Sequence, residues 1–358
     1  MSYKVVDLFC GAGGLSRGFM DAGFDIVLGV DFNDKALETF EANHGGAEAF
    51  KLDLFDLDNI SKIRDKLASK KIDDLDVLIG GPPCQGFSLA GNRVESDERN
   101  KLYTAMVETA KQLKPKVILL ENVPGLIKLY DGKVANKIVD DFSSLGYSVK
   151  KKVLYAPNYG VPQIRKRVFF VAVKNGLPEF EFPQPLIDDE SKFISCEDAI
   201  SDLPPLIDIK GDIIQDYPTK PLSDYQKKMR KKSKEIHNHI GTIHTEKTKK
   251  MISMVPEGKN YKALPEKYRA EYTYHESLTR YHSKRPSRTI DTGHRTHFHY
   301  KLNRIPTVRE SARLQSFPDD FIFLGNKADQ YKQVGNAVPP LLGKALAESI
   351  LSLLKKGT

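Results

Sequence analysis

Four short apolar runs in the first 125 residues each stop at a small or acidic residue, and amphipathic segments separate them. Lys4–Phe9 ends in Gly11-Ala12-Gly13-Gly14, Ile26–Val30 ends at Asp31, Val77–Ile79 breaks into Gly80-Gly81-Pro82-Pro83, and Val117–Leu120 ends at Glu121. Between them lie Leu15–Ala22, then Asp34–Asn43 with Ala36, Leu37 and Phe40 on one side. Leu102, Ala105, Met106, Thr109, Ala110 and Leu113 then recur at helical spacing before Pro115. Val134, Ile138, Phe142 and Leu145 predict a further helix, and Ser148–Tyr155 and Arg167–Val173 predict two more strands. Such alternation predicts an α/β fold, a mostly parallel sheet with helices on both faces. Ligands of these sheets bind beyond the carboxyl ends of the strands, near the point where strand order reverses. The glycine cluster, Asp31, the Gly80–Gln85 loop and Glu121 all lie at such ends and are expected to converge on one crevice.

From about Leu177 the pattern dissolves. Prolines at 178, 183, 185, 204, 205, 218 and 221 and the charge run Lys227–Lys234 interrupt any periodicity. We expect a smaller, irregular domain inserted over 179–324, with 1–178 and 325–358 forming the catalytic domain. Order returns with Thr307-x-x-Glu310, a capping-box pattern for a helix through Gln315. Pro339–Leu354 follows as a final helix, with Leu342, Ala345, Leu346, Ser349, Ile350 and Leu353 on one face.

Charge sharpens the division. Tyr225–Arg304 holds 20 Lys/Arg against 7 Asp/Glu, in a chain of net charge +8, and eight of the nine histidines. That stretch is either a solvated surface or a face for a polyanion, nucleic acid first. Cys10, Cys84 and Cys196 form no spaced pair, which argues against a disulfide framework or a Cys-rich zinc site. The histidines, with spacings such as His294-x-x-His297-x-His299, do not suggest a metal site either. The N-terminus lacks a long apolar core, and no run approaches the roughly 18 apolar residues of a membrane span. The expectation is a soluble cytoplasmic protein.

Several residues carry chemistry. The loop DLFCGAGG at 7–14 follows a strand and opens a helix, but it is neither G-x-G-x-x-G nor a P-loop. Asp31 ends the next strand 20 positions after Gly11, where a carboxylate takes two ribose hydroxyls. Together they indicate a nucleoside-containing ligand that need not carry phosphate. Asp53 is either an acceptor for an adenine amino group or a plain loop residue. In GGPPCQGFS at 80–88, two prolines stiffen the backbone before Cys84. A thiol on such a loop, at a strand end, reads as a nucleophile; Cys10 reads as packing and Cys196 as inert. Glu121 is either a strand-end cap or a carboxyl group that protonates or hydrogen-bonds a ring nitrogen. Alternation places Gln163, Arg165 and Arg167 on one face, as surface charge or as an anion clamp.

Taken in order, these segments resemble the DNA cytosine-5 methyltransferase family. The likeness rests on DLFCGAGG, GGPPCQGFS, ENV at 121–123, QIRKR at 163–167, RESARLQSFPDDF at 309–321 and QVGNAVPP at 333–340. It covers about 1–178 and 305–347, while 179–304 matches only loosely, as the family's variable target-recognition region would. The resemblance implies a Rossmann-like class I methyltransferase sheet of seven strands, the last antiparallel, with S-adenosylmethionine as methyl donor. It places cofactor contacts on Phe9, Gly11, Gly13, Gly14, Asp31, Phe32, Asp53, Pro83, Asn336 and Val338. Asp31 departs from the Glu of many relatives, and Phe32 from a frequently larger aromatic. By the same likeness Cys84 is the nucleophile, Glu121 the partner of N3 and Arg165 the group at the O2 edge, with Arg167 in support. Gln85, Ser88, Gln163, Arg288 and Thr289 face the substrate. Double-stranded DNA of a restriction-modification system is the implied partner, a companion endonuclease acts separately, and a monomer suffices. The alternatives are a tRNA cytosine-5 methyltransferase on the same scaffold, whose Cys-Phe-Thr signature is absent from this sequence, a DNA-binding module with a decayed site, and a nucleotide-dependent dehydrogenase.

Overall fold

The computed structural model describes residues 2–83, 102–269, 278–293 and 296–357. The chain divides into two units. The first comprises 1–155, 166–184 and 342–358, and the second 156–165 and 185–341.

In the first unit the described strands β1 (Lys4–Leu8), β2 (Asp25–Asp31), β3 (Glu48–Lys51), β4 (Val77–Gly80), β5 (Val117–Asn122), β6 (Tyr147–Tyr155) and β7 (Lys166–Lys174) form one sheet in the order 3-2-1-4-5-7-6. The pairings among β1 to β5 are parallel, and β7 runs antiparallel to both β5 and β6. Order therefore reverses between β1 and β4, and their carboxyl ends flank the expected crevice. The apolar runs became strands because both faces of the sheet are covered: Val5, Val6, Leu8, Val77, Leu78, Ile79 and Val117–Leu120 are buried without alternation. Helices α1 (Gly14–Asp21), α2 (Asp34–Asn43), α3 (Ile60–Ser69), α4 (Tyr103–Leu113) and α5 (Lys133–Ser144) supply that cover. Ala105, Met106, Thr109 and Ala110 form the buried stripe of α4, as their spacing requires. Two elements escape a reading of the sequence. The strand β3 is a four-residue edge, and α3 buries only Ile60, Ile63 and Leu67.

The second unit contains α6 (Cys196–Ile200), α7 (Asp224–Met229), α8 (Glu246–Ser253), α9 (Glu266–Arg269), α10 (Val308–Leu314) and α11 (Lys327–Asn336). Its two-residue strands β8 (Ile214–Gln215) and β9 (Ile236–His237) pair antiparallel, and β10 (Thr279–Arg280) and β11 (His297–Phe298) pair parallel. Polar burial organises it. Arg313 donates to both carboxylate oxygens of Asp319 at 2.6 Å and to Asp202 at 3.0 Å, while Arg304 grips Glu310 through two bonds of 2.6 and 2.7 Å. The expected capping box is present: Thr307 Oγ1 accepts from Glu310 N–H, and the Glu310 carboxylate accepts from Thr307 N–H. Among the described histidines, two serve as packing and hydrogen-bonding groups. His239 joins Thr307 to Pro204 O, and His299 stacks on Tyr300.

The last helix, α12 (Pro340–Lys356), passes from the second unit into the first at Leu342. Leu342, Leu346, Ile350 and Leu353 are buried, and Gly343 lies against Leu15 of α1. The stretch Lys327–Lys356 is long and apolar enough to cross a membrane, but most of its apolar window is buried inside the protein, as in a core helix. The two units differ from the expected domains. Residues 325–341 fall in the second unit because α11 packs on α10, and 156–165 fall there because Gln163 pairs with Ser287.

Candidate active site

The glycine loop is shaped by its own backbone. The chain leaves β1 at Phe9 (φ 57°), and Gly11 and Gly13 hold φ of 52° and 90°, conformations that L side chains rarely adopt. Gly13 caps α1, which starts at Gly14. A Cβ on Gly13 would overlap Cε1 of His44 and lie 2.8 Å from the Phe40 ring. His44 cannot easily give way: its ring stacks on Phe40 (centroids 4.3 Å apart), and Nδ1 donates to Phe40 O at 2.8 Å. Burial pushes its pKa down to about 4, so the ring is neutral at pH 7. Around Gly11, by contrast, no described residue lies within 4 Å of where a Cβ would point. Among the described residues the loop is walled on the Gly13 side and open on the Gly11 side.

Asp31 completes this half. Its carboxylate accepts from Gly11 N–H and Asn33 N–H, both at 2.9 Å. Burial pushes its carboxyl above the usual range, opposed by those N–H bonds. Phe32 is 65% exposed beside it. Asp53 is also exposed, with one carboxylate oxygen accepting from Phe55 N–H at 2.9 Å. Behind the loop stands an acid that the sequence analysis does not single out. Asp7 is buried and accepts a short hydrogen bond from Ser16 Oγ, and burial raises its pKa to about 8. An acidic residue inside an otherwise apolar strand was the available signal.

The second half lies at the ends of β4 and β5. Glu121 faces Gly81, where a Cβ would come 3.1 Å from Oε2. Asn122 Nδ2 donates to Pro82 O at 3.2 Å, tying the Pro-Pro turn to the next strand. Arg167 Nε lies 2.8 Å from Glu121 Oε1, with side chains 16% and 13% exposed. The structure therefore joins Glu121, Arg167 and the backbone that leads through Pro83 into Cys84. Cys84, Gln85 and Ser88 themselves lie outside the described residues.

The expectation that Gln163, Arg165 and Arg167 share one face is corrected. The strand starts only at Lys166, and the preceding segment runs beside Ser287 as an isolated bridge. Gln163 and Arg165 are buried in the second unit. Arg165, 1% exposed, donates to the carbonyls of Gly335 (3.1 Å), Ala337 (3.0 Å) and Ile290 (3.5 Å). Gln163 accepts from Ile290 N–H at 3.1 Å and donates to Gln315, a partner to which no periodicity points. Both side chains are spent on these backbone and side-chain partners. Thr289 donates to Ile164 O at 2.6 Å and is exposed, as is Arg288. Asn336 is exposed at the end of α11, and Val338 is buried nearby in sequence. Cys10 and Cys196 are both buried, and burial raises both thiol pKa values.

Comparison with known proteins adds a family. The pattern of the C-5 cytosine-specific DNA methylases matches residues 3–352. The Type II methyltransferase M1.HphI of Haemophilus parahaemolyticus is 38% identical, over 99% of this chain and 88% of its own. The Type II methyltransferase M.DdeI of Desulfomicrobium norvegicum is 36% identical, over 97% and 88%. A crystal structure described as a DNA modification methyltransferase encoded within an E. coli prophage superposes with a TM-score of 0.81 at 28% identity, covering 99% of this chain and 100% of that one. The Dnmt2 methyltransferase of S. pombe (TM-score 0.62, 18% identity, 98% and 99% covered) shares the fold.

Proposed function

This chain belongs to the C-5 cytosine-specific DNA methylase family, and from that premise we propose how its residues divide the reaction. It is a DNA cytosine-5 methyltransferase of the restriction-modification type, and it transfers a methyl group from S-adenosylmethionine to cytosine in double-stranded DNA. The substrate is thus DNA and not the tRNA of the alternative reading.

The residues at the glycine loop fit the methyl donor. Gly11 leaves open space, Asp31 offers a fixed carboxylate at the end of β2 for ribose hydroxyls, and Phe32 exposes a ring for an adenine face. Phe9, Gly13, Gly14, Asp53 and Pro83 complete the assignment, and the family likeness adds Asn336 and Val338. When bound, the donor supplies an electrophilic methyl group.

C5 of cytosine is a poor nucleophile. We assign Cys84 as the thiolate that adds to C6, which moves the ring electrons toward C5 and N3. Glu121 meets that change at N3. Paired with Arg167 it is an acceptor, and it donates to N3 only after taking up a proton itself. Arg167 orients Glu121, and its remaining donors suit the O2 edge, the role that resemblance alone would give to Arg165. C5 would then take the methyl carbon as its bond to the donor's sulfur breaks and the neutral thioether leaves; a base removes the C5 proton, the C5–C6 double bond re-forms, and the thiolate is expelled from C6. A base inside a duplex cannot reach such a site, so the cytosine is flipped out at a cost of a few kcal/mol. The basic stretch Tyr225–Arg304, with Arg288 and Thr289, contributes phosphate contacts and base readout that offset it. Gln85 and Ser88 line the cytosine side. The enzyme works in the cytoplasm as a monomer, and its companion endonuclease is a separate protein.

The observation that carries this reading is the Glu121–Arg167 pair set against the Gly81–Pro83 turn that leads into Cys84. Bisulfite sequencing of DNA incubated with the protein and S-adenosylmethionine should reveal one methylated sequence. A duplex carrying 5-fluorocytosine at that site should trap wild type, but not Cys84→Ser, in a denaturation-resistant adduct. Equal methyl transfer by the serine variant would refute the covalent step.

A further inference from the structure

Three buried side chains of the second unit join two segments to which the proposed function gives different tasks. Ile290 N–H donates to Gln163 Oε1 at 3.1 Å. Gln163 Nε2 donates to Gln315 Oε1 and to Leu314 O at 3.3 Å, and Gln315 Nε2 donates to Ala337 O at 2.6 Å. Arg165 makes the parallel path, from Ile290 O at one end to Gly335 O and Ala337 O at the other. Both paths begin on the peptide groups of Ile290 and end on the carbonyls flanking Asn336. Gln163 and Gln315 are fully buried and Arg165 nearly so.

The joint has no slack. A Cβ on Gly335 would overlap Asp291 O and lie 2.9 Å from Thr292 N, so the two backbones press directly together. Asp291 is itself anchored, accepting from Gly293 N–H at 2.9 Å and Thr296 Oγ1 at 2.5 Å. A displacement of 288–292 must therefore move 335–338 or break buried hydrogen bonds, which are costly to leave unmatched.

We propose that Gln163, Arg165 and Gln315 are positioning residues that couple DNA reading at Arg288–Thr292 to the hold on the methyl donor at Asn336–Val338. This rests on the reading of Arg288 and Thr289 as DNA-facing and of Asn336 and Val338 as cofactor-facing. Coupling of this kind is reciprocal: DNA tightens the cofactor by the factor by which the cofactor tightens DNA.

The test is calorimetric titration of S-adenosylhomocysteine, the demethylated product, into wild type, Gln315→Met and Arg165→Lys. Each is titrated alone and saturated with a duplex carrying the site found by bisulfite sequencing. The wild-type ratio of the two dissociation constants should exceed five. Either variant should bring that ratio at least threefold closer to one, with the larger loss of affinity in the DNA-bound state. An equal loss with and without DNA would mark a purely structural role and overturn the proposal, as would an unchanged ratio in whichever variant folds. Wild-type methylation of the duplex is assayed first. If it fails, the functional reading falls and takes the coupling with it; if it succeeds while the wild-type ratio is one, the coupling alone falls.

Discussion

Replacing Gly13 by alanine should damage cofactor binding through two separable effects. The first is conformational: φ of 90° costs an L residue about 1–2 kcal/mol. The second is steric. The new methyl group would lie 2.9 Å from His44 Nε2 and 2.8 Å from Phe40 Cδ2, and would overlap His44 Cε1. Overpacking of this kind costs about 1–3 kcal/mol. The sum, about 2–5 kcal/mol, falls partly on stability and partly on the loop that must accept the donor. We expect Gly13→Ala to lower the melting temperature and to weaken S-adenosylhomocysteine at least tenfold by calorimetry. His44→Ala removes one wall but leaves the Phe40 ring and the backbone strain. The same glycine substitution made in that background should therefore cost about 1 kcal/mol less. Strictly additive effects in the four-protein cycle would refute the argument, because they would mean that the imidazole does not hold the loop.

Other outcomes follow from the same geometry. Burial lowers the pKa of His44 and His299 from 6.5 to about 4, so the unfolded chain takes up protons first as pH falls. Stability should drop between pH 6.5 and 4, by about 3 kcal/mol for each ring at most, and thermal melts of His44→Gln should show a shallower acid limb. Asp7 has the opposite sign: its pKa rises from 3.8 to about 8, so the stability tied to its protonated form is full below pH 3.8, falls as pH climbs from there, and is gone above about 8. Asp7→Asn should gain on wild type steadily from about pH 4 to pH 8 in the same melts and level off above that. Glu121→Gln should lower kcat by roughly 100- to 10,000-fold with little change in DNA affinity, measured by filter binding. Neutralising the exposed lysines 227, 228, 231 and 232 on and after α7 should flatten the dependence of log K on log salt, by about 0.9 for each phosphate that a lysine no longer neutralises; an unchanged slope would remove that helix from the DNA interface.

Local chemistry was readable and distant pairing was not. The bounds of α2 and the capping box at Thr307 follow from residues three or four positions apart, which is the range over which propensity and capping act. The strand end at Asp31 was legible because the apolar run stops there, while β5 runs one residue past Glu121 to Asn122. Gln163 and Arg165 misled for a physical reason. Alternating polar residues read as an exposed strand face, yet these side chains are satisfied by groups more than 100 positions away, at Ile290, Gln315 and Ala337. Arg313 and Arg309 are similar: their spacing names no partner, yet in the fold Arg313 is buried on Asp319 and Asp202 and Arg309 beside Asp319. Spacing carries no record of such partners. The strand β3 was missed because a four-residue edge carrying Glu48 and Lys51 has too little apolar pattern to stand out.

The division of the chain also sets an order of manufacture. The final turns of α12, with Leu346, Ile350 and Leu353, leave the ribosome only after the whole stretch 185–341 has been made, a delay on the order of ten seconds or more. Until then α1 lacks its cover at Leu15. A nascent chain is therefore idle for most of its synthesis. An early stop codon anywhere in the second unit should yield an insoluble fragment in place of a half-active enzyme.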